Sequence, residues 1–145
     1  MKFREFILKE GKHPSEGKLE YGPGIRAVIW VDKSFANYRK LIPKSLASKP
    51  QRYPPHITVV RTGKEQPITN EEAWGKYEGE VIHFTYDSEI QFDGTYYYLN
   101  VFSDRIGDIR EELGLPRYRD GQDKYHIALG NVKSEAPQPG LEPGT

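Results

Sequence analysis

Two short segments carry residues suited to moving protons: His56-Ile57-Thr58-Val59 and His126-Ile127-Ala128-Leu129, set 70 positions apart. Histidine is the side chain whose ordinary pKa, about 6.5, lets it give or take a proton near neutrality. Two of them can divide the work on a phosphoester. A neutral imidazole takes a proton from the attacking nucleophile, and an imidazolium gives one to the leaving oxygen. A hydroxyl two residues after a strand histidine shares its face and can donate to a non-bridging phosphate oxygen, where charge develops. Thr58 supplies such a hydroxyl and Ala128 does not.

Positioning these groups requires strands. Alternation sets His56, Thr58 and Val60 on one face against Ile57, Val59 and Arg61, and His126, Ala128 and Gly130 against Ile127, Leu129 and Asn131. If the isoleucine faces are the core, both histidines turn away from it. Further strands are expected at 3–8, 26–32, 81–86 and 95–102, with Asp93-Gly94 as a hairpin turn. The Gly- and Pro-punctuated stretch up to residue 24 reads as loop. A helix capped by Ser34 and ended by Pro43 is expected first. A second, capped by Ser103 or Asp104 and stopped by Gly114 and Pro116, follows, with a short helical turn between them at 70–77.

The order strand, helix, polar loop, histidine strand thus occurs twice at a constant offset of 70, with 26–32 matching 96–102. That duplication predicts an α+β fold of two pseudo-symmetric lobes, each an antiparallel sheet with a helix, around a central cleft that brings the histidines together. Residues 1–133 are expected to form this single domain and 134–145, rich in Pro and Gly, a disordered tail.

Composition bounds the chemistry. The 145 residues hold 21 basic and 21 acidic side chains and no cysteine. Zero net charge argues against a general polyanion binder, because such affinity comes from excess Lys and Arg, but leaves room for a local basic site. Absence of cysteine excludes disulfides, thiolate metal sites and a thiol nucleophile. Mean hydropathy is −0.76, and neither a signal-peptide core nor a membrane-length apolar run is present. The expectation is a soluble, cytoplasmic monomer acting on a small nucleotide or RNA-end substrate, with no extended DNA, no membrane, no cofactor and no metal.

The paired motifs resemble those of the 2H phosphoesterase superfamily, defined by two runs of His, hydrophobic, Thr or Ser, hydrophobic. Pro55-His56-Ile57-Thr58-Val59 matches throughout; Tyr125-His126-Ile127-Ala128-Leu129 matches except at the hydroxyl. The likeness covers residues 25–132, and the setting Lys124 to Asn131 looks closest to the Swiss-army-knife RNA repair-like branch. The resemblance implies a metal-independent phosphodiesterase, a hydrolase acting on a 2′,3′-cyclic phosphate, a 2′,5′ linkage or a cyclic oligonucleotide. His56 and His126 would share the acid and base roles, and Thr58 would hold the phosphate. The alternative is a catalytically weak module that sequesters a phosphorylated or cyclic nucleotide, in keeping with Ala128.

Candidate replacements for the missing hydroxyl are Lys124, Tyr125, Arg119 and the Gly130 backbone N–H, with Arg117, Arg119 and Lys124 forming a basic lip for the phosphate. Strand alternation places Tyr125 opposite His126. His13 and His83 read as structural, and a zinc site built from the four histidines lacks ligand spacing. Tyr96, Tyr97 and Tyr98 alternate faces, so at least one is free to line the site. Trp30 reads as core and Trp74 as surface.

Overall fold

A computed structural model describes residues 13–22, 26–43, 46, 49–51, 53–119 and 121–132. The expected strand at 3–8 and the expected tail at 134–145 lie outside them.

The strands are β1 (His13–Tyr21), β2 (Arg26–Trp30), β3 (Lys49–Pro50), β4 (His56–Arg61), β5 (Val81–Tyr86), β6 (Gln91–Phe92), β7 (Tyr96–Phe102) and β8 (Tyr125–Asn131). They run in the order β1-β2-β4-β8-β7-β5, every pair antiparallel, and β5 returns to β1. The two short strands β3 and β6 add to β8 and β7. This overturns the two-lobed expectation. The repeated halves do not face each other across a cleft; they are joined edge to edge into one closed six-stranded barrel. Closure explains the choice, because two separate sheets would each expose an unpaired edge and a barrel exposes none.

The segment that forms β1 was expected to be loop because Gly and Pro punctuate it, at His13-Pro14 and at Gly22-Pro23-Gly24. Pro14 falls near the start of the strand, where proline is tolerated. Gly17 permits a close approach: a Cβ there would lie 2.5 Å from Cγ2 of Ile29 on β2. The other expected strands stand within two residues of their sequence bounds.

Inward positions of all six barrel strands, among them Leu19, Ile29, Ile57, Ile82, Leu99 and Ile127, form one contiguous apolar core. Two longer helical segments, and between them the short 3₁₀ turn Glu71–Ala73 that buries Ala73, add to it. The first, Lys33–Leu41, is a 3₁₀ rather than an α-helix. Its cap is Asp32, whose carboxylate accepts the Ser34 N–H at 2.7 Å, and it buries Phe35. The second, α1 (Asp104–Glu112), is capped by Ser103 accepting from the Ile106 N–H and buries Ile106 and Ile109.

Both histidine strands carry a bulge, and the bulges sit at the same place in the repeat. The step from Ala27 to Val28 on β2 spans Val60 to Thr58 on β4; the step from Tyr97 to Tyr98 on β7 spans Gly130 to Ala128 on β8. One extra residue per strand buries two successive positions, Val59 with Val60 and Leu129 with Gly130. Alternation resumes on the other foot. Arg61 and Asn131 therefore come onto the histidine face and Val60 and Gly130 leave it, the reverse of the sequence expectation.

Beneath the β4 bulge lies a buried ion pair. Arg110 of α1, 0% exposed, donates to the Val59 carbonyl at 2.7 Å, to the Pro116 carbonyl at 2.8 Å and to both Glu65 oxygens, at 2.8 and 3.3 Å. Glu65, its side chain 4% exposed, also accepts the Arg61 N–H at 3.0 Å. Burial alone would raise its carboxyl, but these bonds and the charges of Arg110 and Arg119 hold it below the usual range.

Removing one partner strands the other charge, so Arg110→Ala is expected to lose about 3–5 kcal/mol of unfolding free energy. The joint replacement of Arg110 and Glu65 by Met should lose much less. Urea denaturation of the two variants checks both. Because the folded-state pKa of Glu65 is lowered, its contribution is present above the ordinary carboxylate range and is lost as pH falls through the lowered value.

Candidate functional site

The site is built where the two halves meet. Ile57 of β4 pairs with Ile127 of β8, residues 70 apart, so a local two-fold passes between them. Carried one residue either way, that register sets Thr58 across from His126 and His56 across from Ala128. All four turn away from the core. Directly opposed side chains have Cβ atoms about 4.5–5.5 Å apart and diagonal ones are separated by roughly 7–8 Å. On that geometry Thr58 adjoins His126 and the two histidines straddle a gap of phosphate size. Neighbouring strands extend the face. Trp30 lies across from His56 and Val28 from Thr58; Asn100 lies across from His126 and Tyr98 from Ala128.

Each imidazole has an aromatic neighbour. Trp30 meets His56 edge-on at 5.4 Å between centroids, and Tyr98 lies 4.3 Å from His126 at a tilt of 59°. Trp30 is thus on the site face rather than in the core, held by a hydrogen bond from its indole N–H to Glu20. Trp74 packs on Tyr21 against the core edge instead of standing free. Of the tyrosine triplet, Tyr97 points inward and Tyr96 and Tyr98 share the histidine face.

The His56 Nδ1 lies 2.9 Å from the Pro54 carbonyl. A carbonyl accepts only, so the neutral ring carries its proton on Nδ1 and presents Nε2 as an acceptor. Both imidazoles are half-buried and both are shifted down from the ordinary histidine value. For His56 burial is the main cause, with Arg26 and Arg61 adding to it against the opposing Pro54 bond. For His126 burial again leads, Lys124 and Arg119 add, and Asp93 and Asp123 oppose. In a chain of zero net charge, four cations act on this one face.

The other expected site residues divide. Lys124 pairs with Asp123 at 2.7 Å and still bears on His126. Arg119 lies 3.6 Å from Glu65 and does the same. Arg117 is drawn away: it bonds Asp104, Asp108 and Glu111 on α1, across Gly107, where a Cβ would lie 2.5 Å from its guanidinium carbon. Tyr125 points into the core, donates to the Arg117 carbonyl at 2.6 Å, and has its phenol raised by burial. His13 and His83 stand elsewhere, against Tyr86 and Glu16 respectively. Among the described residues no three His, Asp or Glu groups gather as a metal site.

Sequence reading missed Arg26, Arg61, Trp30 and Asn100. Its one available signal was the doubled apolar pair Val59-Val60, matched 70 positions on by Leu129-Gly130, which marks a break in alternation.

Fold and site together define a closed antiparallel barrel with a half-buried histidine pair in cationic surroundings. The chain matches no protein-family model, no curated protein and no solved structure. No helix among the described residues is long and apolar enough to cross a membrane.

Titration followed by histidine NMR should place both imidazoles below about 6.5. Lys124→Gln should raise His126 and leave His56 in place. Since the folded-state values are lowered, stability is unaffected above that pH and falls as pH drops below it, where the unfolded chain takes up protons first.

Proposed function

We propose that this face binds a phosphodiester of a nucleotide or RNA end and hydrolyses it by acid–base work of His56 and His126. One observation carries the reading: the β4–β8 register sets His56, Thr58 and His126 together on one face of neighbouring strands, amid positive charge. His56 is the base, since its Pro54 bond leaves Nε2 free to accept. The nucleophile, water or a neighbouring hydroxyl, attacks phosphorus and passes its proton to His56. The bond from phosphorus to the leaving oxygen breaks, and that oxygen takes a proton from His126. Proton exchange with solvent resets the pair. The anionic substrate itself raises both imidazoles on binding, which lets His126 hold the proton it must give.

Thr58 donates to a non-bridging oxygen, and Tyr98 supplies the hydroxyl that Ala128 lacks. Tyr98 stands across from Ala128 as Val28 stands across from Thr58, so hydroxyl and apolar side chain have exchanged strands between the halves. The small side chain of Ala128 leaves the Tyr98 ring space to lie against His126.

His56→Ala and His126→Ala should each abolish most cleavage of adenosine 2′,3′-cyclic phosphate, with EDTA harmless to the wild type. A p-nitrophenyl phosphodiester, whose leaving group needs little protonation, should restore turnover to His126→Ala and not to His56→Ala. Wild-type rates in either variant would sink the mechanism. With both imidazoles lowered, kcat/KM is expected to peak below about pH 6.5 and decline toward pH 8.

Tyr98→Phe should lose about 10- to 100-fold in kcat, the range for a hydrogen bond to a charged group. Adding Ala128→Thr to it should recover part of that loss. Binding of adenosine 3′-monophosphate with no cleavage of any phosphodiester would instead favour the sequestering module, the reading Ala128 itself suggests.

A further inference from the structure

The local two-fold is broken at the ends of the histidine face. At one end Arg26 of β2 stands directly across from Arg61 of β4. At the other, the equivalent positions 70 residues on are Tyr96 and Asn131, which are uncharged, and Asn131 bonds Gln51 at 3.0 Å. Like charges placed opposite each other on neighbouring strands are unfavourable unless something negative lies between them. No carboxylate among the described residues pairs with either guanidinium. The Nη1 of Arg26 is shielded from solvent yet has no hydrogen-bond partner among the described residues, a donor that is costly to leave unmade. Its guanidinium stacks near the Trp30 ring, 5.9 Å from the centroid, which holds it on the same face as His56. The β4 bulge is what turns Arg61 onto that face.

Arg61 follows Thr58 by three residues, roughly 10 Å of strand at about 3.3 Å per residue. An arginine reaching back from there meets a ligand about one nucleotide away from a phosphate held between the histidines. Arginine is suited to the task because its planar fork matches phosphate oxygens in pairs.

We propose that Arg26 and Arg61 form a second anion subsite, which holds a terminal phosphate of a nucleotide substrate whose phosphodiester lies at His56 and His126. The inference rests on the phosphodiester reading above and deepens it. The substrate class becomes nucleotides carrying two phosphoryl groups, and the ligand has one direction along the face.

Calorimetric titration with adenosine 3′-monophosphate and adenosine 3′,5′-bisphosphate tests this. The bisphosphate should bind the wild type at least tenfold more tightly. In Arg26→Gln/Arg61→Gln, with folding checked by circular dichroism, that advantage should vanish, while the monophosphate loses no more than about threefold at physiological salt, where more distant charges are screened. Equal affinities in the wild type overturn the subsite without any variant, as does an advantage that survives the double substitution. Tight monophosphate binding with no bisphosphate advantage removes the subsite and leaves the phosphodiester reading standing. Failure of both nucleotides to bind the wild type removes both.

Discussion

The pairing of Ile57 with Ile127 joins two strands that occupy equivalent places in the repeat, and much follows from it. It sews the halves into one sheet, so that β1 and β5 meet on the far side and the barrel closes. It sets both isoleucines at 0% exposure in the shared core. It also fixes, one residue either way, the four positions of the histidine face. Fold and site are one constraint here, because slipping that register by a single residue would turn the histidines inward and the isoleucines out.

The bulges are the second device. A regular strand would have kept Arg61 among the core-facing residues, where a lone guanidinium is intolerable. An extra residue reverses the parity after Thr58, delivers Arg61 to the polar side, and gives the core a second valine in exchange. On β4 the buried Arg110 ties the Val59 carbonyl of that irregular stretch to α1 and Glu65. The buried ion pair thus bears on the surroundings of the histidines through backbone geometry.

Much of this was legible in the sequence at the level of strands and parity. His56, Thr58, His126 and Ala128 share a face turned from Ile57 and Ile127, as alternation requires, and the offset of 70 returns in the strand registers and in both bulges. The fold itself was misread. A repeat specifies similar halves and says nothing of how they join, since whether two edges pair with each other is decided by long-range closure that leaves no local pattern. β1 was misread because Pro and Gly have the same statistics at a strand end or a close approach as in a loop. Trp30 was assigned inward on hydrophobicity, yet an indole with a polar handle suits a half-buried face. Arg61 was missed because one residue inserted in the ladder, marked only by the doubled Val59-Val60, decides which face it serves, and Arg26, which shares the face of Trp30 by plain alternation, was missed along with it.

Closure has a mechanical side. A ligand site between two lobes opens and shuts by rigid-body motion, typically over microseconds to milliseconds, whereas exposed side chains change rotamer in picoseconds to nanoseconds. Here the histidines stand on adjacent, hydrogen-bonded strands of a single barrel, and no hinge lies between them. Their span is set by the ladder and cannot widen without breaking it. The face is a fixed gauge, adjustable only through side chains such as Trp30 and Tyr98, and the barrel is built as a ruler rather than a clamp.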